Sequence, residues 1–213
     1  MAEGSVVISS RGVERLRNGH LWVYRSDVRS LQAEAGAVAR LTDERGRFHG
    51  RAFYSDKSQI AVRLLTSEDV PVDRAFFTER LRRAADYRKV VVEDTDAYRL
   101  VYSEADLLPS LIVDKYGDYL VMQTLSQSTE RHKGLFVEIL AELFSPAGIL
   151  ERNDPKVRLL EGLDQRVSVL QGEIPAEILA KENGVTFVYD LRKGQKTGSF
   201  RSEERRVGKE CRP

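Results

Sequence analysis

Near residue 72 the hydrophobic period of this chain changes from about two to about 3.6 residues, and that change limits what can fold on either side of it. Before it, apolar residues fall in short runs at 6–8, 37–41, 48–54 and 60–65, separated by turn-forming residues such as Asp43-Glu44-Arg45-Gly46. Small all-β units protect their strand edges by closing, so the expectation for residues 1–70 is a small β-barrel. After it, Asp73 can cap a helix in which Phe77, Leu81, Ala84, Ala85 and Arg88 recur every three or four residues.

The same reasoning carries the second unit to about residue 190. Strands are expected at 98–102, 110–113 and 119–125, the last two joined through the turn-rich run Asp114-Lys115-Tyr116-Gly117-Asp118. A helix over 131–144 should stop at Ser145, because a residue before proline disfavours helix. Asn153-Asp154-Pro155 can start a short helix that Gly162 ends, and strands return at 167–170 and 185–189. The fold class expected is α+β, with a central domain over 71–190 behind the barrel.

Composition excludes more than it identifies. The 213 residues carry 34 Lys and Arg against 33 Asp and Glu, so overall charge points to no partner, and any nucleic-acid surface must be a local patch. No run approaches the roughly 18 apolar residues of a membrane span, and the first residues lack a secretory layout, which gives a cytoplasmic expectation without membrane attachment. Cys211 is the only cysteine, and His20, His49 and His132 show no ligand spacing, so no metal is expected.

One local patch stands out. Arg11, Arg15, Arg17, His20 and Arg25 surround Trp22 and Tyr24, with Glu14 the only acid among them, a mixture suited to phosphate contact and base stacking on RNA. A solvated helix face followed by a core Trp and Tyr fits the same residues. Lys57 and Arg63 could extend the patch from the later strands, as could Arg51, or could be ordinary surface charge. Glu104 with Asp106, and Asp114 with Asp118, raise paired-carboxylate chemistry, although acids at these positions also suit turns. Gly194-Gln195-Lys196-Thr197-Gly198 lacks the spacing of a phosphate-binding loop, and no two glycines are separated by one residue, so the dinucleotide-type fingerprint is missing.

Taken in order, these segments resemble the PUA-domain methyltransferases that act on 23S ribosomal RNA. The resemblance rests on Gly19-His20-Leu21-Trp22-Val23-Tyr24, on Ser58 through Leu65, and on the stretch from Tyr98-Arg99-Leu100-Val101 through Glu104-Ala105-Asp106 to Tyr116-Gly117-Asp118. Glu151-Arg152-Asn153-Asp154, Val157-Arg158, Glu161-Gly162-Leu163 and 194–198 extend it to cover residues 5–200. It implies a PUA-like RNA-binding domain, a central domain, and a C-terminal Rossmann-like domain that binds S-adenosylmethionine, with 5-methylcytidine in ribosomal RNA as product and a homodimer as the intact enzyme. It also implies that Lys196, Thr197, Gly198 and Phe200 stand at the edge of a catalytic site, although Ser199 occupies a usually aromatic position.

After Phe200 the family pattern stops. Residues 201–211 are what a common sequencing-adapter DNA string encodes, so residues 201–213 are expected to be a non-native tail. From these readings, 191–200 is the start of a methyltransferase domain that is otherwise essentially absent. No catalytic residue is expected in the chain, and neither tight S-adenosylmethionine binding nor methylation by it alone. A free-standing PUA-type RNA-binding module is the alternative, and a carboxylate hydrolase using Glu104 and Asp106 is a third.

Overall fold

The computed structural model describes residues 4–194. Residues 4–66 build a six-stranded sheet from β1 (Gly4–Ile8), β2 (Trp22–Tyr24), β3 (Val28–Gln32), β4 (Val38–Asp43), β5 (Phe48–Tyr54) and β6 (Ile60–Thr66), in the order β2-β6-β5-β4-β1-β3. Helix α1 (Ser10–Arg17) starts where the Ser9 hydroxyl accepts from the Gly12 amide, and it buries Val13. The expected closed barrel needs correction. β2 and β3 stand at the sheet's two edges, and β1 is paired in parallel with β4 and antiparallel with β3. β3 had no alternation to announce it, since four of its five residues are exposed.

The second unit centres on a five-stranded sheet of β7 (Ala97–Tyr102), β8 (Leu111–Tyr116), β9 (Tyr119–Thr124), β10 (Gly148–Asn153) and β11 (Arg166–Gly172), ordered β11-β10-β9-β8-β7. Helices α2 (Arg74–Val91), α3 (Gln127–Arg131) and α4 (Lys133–Phe144) belong to this unit. Asp73 caps α2 by accepting from the Phe76 amide at 3.0 Å, and the α2 residues picked out by spacing, Phe77, Leu81, Ala84 and Ala85, are its buried face. They join Phe136, Ile139 and Leu140 of α4 and Leu111, Val113, Leu120, Met122 and Ile149 of the sheet in one core, which also takes in Phe53 and Leu65 of the first unit. Burying a Leu- or Phe-sized side chain stabilises by roughly 1.5–3 kcal/mol, so this shared core fixes the two units to each other.

Three local expectations change in the structure. The turn joining β8 and β9 is only Gly117-Asp118, with Gly117 at φ +55°, whereas Asp114 lies within β8 and is fully buried. The run Glu151-Arg152-Asn153 belongs to a strand, β10, every residue of which is buried; its polar composition hid it because each side chain has a partner elsewhere in the fold. β10 pairs in parallel with β9, so β9, α3, α4 and β10 form a parallel crossover rather than another hairpin. Finally, β12 (Ile178–Glu182) and β13 (Val185–Tyr189) make a separate hairpin. Ile178, Ala180 and Tyr189 pack with Tyr116, Val121 and Leu150 on the sheet face opposite the helices.

Candidate nucleic-acid interface

The basic N-terminal residues are sorted by what their guanidinium groups touch. Asp27, buried in the 3-10 turn after β2, accepts from Arg11 Nε at 2.6 Å and pairs with Arg15 at 3.4 Å, and Arg15 also lies over the Tyr24 ring. Arg25 donates to the carbonyls of Ser55 and Ser58, tying the 25–27 turn to the loop before β6. Arg63 sits on β6 opposite Trp22, but its side chain is 9% exposed and it donates to Glu161 Oε1 at 2.7 Å. Its charge is therefore spent inside the protein, which corrects the expectation that it extends an RNA-facing patch. Lys57 is exposed and, among the described residues, pairs only with its neighbour Asp56, at 3.5 Å.

Arg17 and His20 remain exposed, with no ion pair among the described residues. Arg17 lines a groove of about 260 Å³ between α1 and the β4–β5 turn, whose other walls are Ser10, Val13, Asp43, Glu44, Arg45 and Arg47. Arg45 and Arg47 were missed in the sequence because they lie in a four-residue turn nearly 30 positions from Arg17, and only strand pairing brings the turn to the helix.

Asp43 organises this turn. Its carboxylate accepts from the Arg45 and Arg47 amides at 2.9 and 3.0 Å, from Arg47 Nε at 2.7 Å, and contacts His49 Nε2 at 3.2 Å. Burial pushes its pKa up, but the hydrogen bonds from Arg47, His49 and Arg45 outweigh burial and hold it well below the usual carboxylate range. Its charge is thus satisfied by the turn itself, and Glu44 is drawn off toward Arg29 at 3.7 Å. Arg45 makes no ion pair among the described residues. The groove therefore presents guanidinium donors from two elements across a fixed gap, an arrangement that suits a phosphodiester backbone.

Trp22 is also exposed, and its indole Nε1 donates to Glu104 Oε1 at 2.9 Å across the junction of the two units. Glu104 and Asp106 are not a catalytic pair here: Asp106 takes both Nη groups of Arg88, and Glu104 takes Trp22. Asp114 likewise is bound by Arg99 through two hydrogen bonds of 2.9 and 3.1 Å. Among the described residues no group of three or more His, Cys, Asp or Glu side chains stands where one ion could be held, and no helix is long and apolar enough to cross a membrane. Lys196, Thr197, Gly198, Phe200 and the 201–213 tail lie outside the described residues. The segment leading to them is held at the end of β10, where Arg152 Nη1 donates to the carbonyls of Leu191 and Gly194 at 2.7 and 2.9 Å.

Residues 6–67 match the family described as a PUA-like domain. The chain is similar to Ribosomal RNA large subunit methyltransferase I of Vibrio cholerae, at 38% identity over 190 residues, covering 87% of this chain and 48% of that protein. The protein of the same name from Alteromonas mediterranea is 36% identical over 200 residues, covering 92% and 50%. The chain thus spans about half the length of the curated relatives it matches. Among solved structures it is similar in fold to SMU.776, described as a methyltransferase complexed with SAH (TM-score 0.79, 21% identity, 95% of this chain and 52% of the other). It is likewise similar to a chain described as a SAM-dependent methyltransferase from Streptococcus mutans (TM-score 0.77, 22% identity, 97% and 53%).

These superpositions overturn the expected fold class, in which a PUA-like barrel and an α+β domain stood with the methyltransferase fold essentially absent. Nearly the whole chain follows the path of methyltransferase chains. The expectation had rested on the family pattern stopping after Phe200, but where a motif stops does not report which fold the residues before it adopt.

Proposed function

We propose that this chain engages ribosomal RNA as part of an S-adenosylmethionine-dependent methyltransferase acting on the large ribosomal subunit, with formation of 5-methylcytidine as the specific reaction. The observation that carries the reading is the groove of Arg17, Arg45 and Arg47 on the domain that matches the PUA-like family. The relatives' names and the ordered motifs between residues 19 and 163 support the methylation reading. The unit up to about residue 70 makes the phosphate contacts, and the unit over 71–190 sets the angle at which the RNA meets the rest of the enzyme. Arg17, Arg45, Arg47 and His20 carry the contact, while Arg11, Arg15 and Arg25 hold the surface in shape.

The sheet face opposite α2 and α4 carries a cleft beside Tyr102 and Asp154. Cofactors of this kind are held by a close glycine-rich backbone approach and a carboxylate toward the ribose; Asp154 supplies a carboxylate, but no glycine lines that cleft. The described residues there do not fit the group.

The test is fluorescence anisotropy with a labelled fragment of large-subunit ribosomal RNA across a salt series. Each lost phosphate contact flattens the log–log salt slope by about 0.7–0.9. Arg17→Ala and Arg45→Ala should each do so, and a slope unchanged in both would refute the groove as the RNA-contact surface. Transfer of a tritiated methyl group from S-adenosylmethionine to that RNA, with the labelled base then identified, checks the reaction.

A further inference from the structure

A second cavity, about 510 Å³ in volume, lies on the face of the central sheet opposite α2 and α4 and is lined by Arg99, Tyr102, Ile112, Gln123, Leu125 and Asp154, with Pro155 at its end. That volume is in the range of small-ligand sites. Its floor is apolar, from Ile112, Leu125 and Pro155. Its wall is aromatic: half of the Tyr102 side chain is exposed, and the Arg99 guanidinium lies 5.1 Å from the ring centroid. Arg99 is itself anchored by the fully buried Asp114, so the tyrosine rests on a fixed support. A supported, half-exposed ring over an apolar floor is the arrangement that stacks a planar heteroaromatic base.

The polar groups at the rim narrow the choice of base. Gln123 donates its Nε2 to the Arg152 carbonyl at 2.8 Å, and no hydrogen bond among the described residues engages its Oε1. Asp154 accepts from Arg152 through Oδ2 at 2.9 Å, while its Oδ1 is buried without a donor among the described residues. A buried carboxylate oxygen without a donor is costly, and a ligand that brings an N–H removes the cost. Both free rim atoms are acceptors. We infer that this cleft receives one unstacked base of the RNA and selects a base carrying an exocyclic amine. The inference rests on the RNA reading above and adds a site to it. Trp22, hydrogen-bonded to Glu104 two residues beyond Tyr102, brings the first unit up to the cleft's edge.

The experiment uses the full chain and fluorescein-labelled octaribonucleotides, either all uridine or with one central cytidine or adenosine. The amine-bearing oligonucleotides should bind about 10-fold more tightly, the scale of one stacked and hydrogen-bonded base. Tyr102→Ala should remove that advantage and Tyr102→Phe should keep it. Asp154→Asn should lose the preference for the amine while retaining stacking, and urea midpoints should match the wild type in all three. Equal affinity for all oligonucleotides, or a preference that survives Tyr102→Ala and Asp154→Asn, overturns the inference. Displacement of the oligonucleotide by S-adenosylmethionine alone also overturns it, since the base in the cleft would then belong to the cofactor. Arg17→Ala should weaken all oligonucleotides equally; if it changes nothing while Tyr102→Ala does, the groove reading fails and the cleft stands. No binding of any oligonucleotide removes both.

Discussion

Two regions of this molecule are rich in arginine, and they use it in opposite ways. In the groove beside α1, Arg17 and Arg45 face solvent without an acid, and the one strong carboxylate nearby, Asp43, is occupied by its own turn. Within the second unit Arg158 is buried and paired, and so is Arg63 in the seam between the units. Glu161 there receives Arg63, the Ser55 hydroxyl and the Gln127 amide, while Arg158 donates to the Thr124 carbonyl, to Glu130 at 3.1 Å and to the Asp164 carbonyl at 2.9 Å. Lys133 then links Glu130 to Glu151, whose carboxylate also takes Asn153 and Ser168. One residue type is neutralised inside the protein in the seam and left exposed without an ion pair among the described residues in the groove.

The largest effect that can test this contrast is at the seam. Glu161→Ala leaves Arg63 buried without its acid, and removing one partner of a buried pair costs about 3–5 kcal/mol. The urea midpoint should fall accordingly, whereas Arg63→Met combined with Glu161→Leu should recover most of the loss. A Glu161→Ala protein as stable as the wild type would show that the seam does not hold the units together. Next comes Gly36, at φ +76°, where a Cβ would stand 2.8 Å from the Gln127 carbonyl oxygen. Gly36→Ala should cost more than the ~1 kcal/mol typical of a point substitution, because both the backbone conformation and the contact between units oppose it.

His132 offers a pH test of the same boundary. It packs among Phe53, Phe77 and Phe136, and its Nδ1 donates to the Ser128 carbonyl at 2.8 Å. Burial pushes its pKa down, with Arg131 adding to this and the Ser128 bond opposing it. The unfolded chain therefore binds the proton more readily than the folded one. The stabilisation is complete above the unfolded value near 6.5 and is lost as pH falls toward the lower folded value. Thermal melts from pH 7.5 downward should show the loss in the wild type and a flatter dependence in His132→Gln. The smallest expected effect is in Trp22→Phe, which deletes one exposed hydrogen bond to Glu104 worth about 1 kcal/mol or less. It should leave stability nearly unchanged, and a large drop would mean that the two units are joined at their rim as well as their core.

How much of this was legible depended on whether a signal was local. The α2 face, the Asp73 cap and the stop at Ser145 are each written within a few residues, and periodicity or turn chemistry finds them. β10 was not legible, because Glu151, Arg152 and Asn153 look like surface residues until Lys133, Ser168 and Thr124 are brought to them. The basic patch was half legible. Its members were named, but the sequence could not separate Arg17 from Arg63, nor add Arg45 and Arg47, because availability depends on which acid lies across the fold.

The sequence by itself determined where the two units divide, which face of α2 is apolar, and which ordered motifs link this chain to its relatives. Tertiary structure alone decided which charges are neutralised and which are free, and it alone built the groove at α1 and the cleft at Tyr102. Hydrophobic periodicity is a property of neighbours in the chain, whereas the state of a charge depends on its neighbours in space and on the water excluded around it.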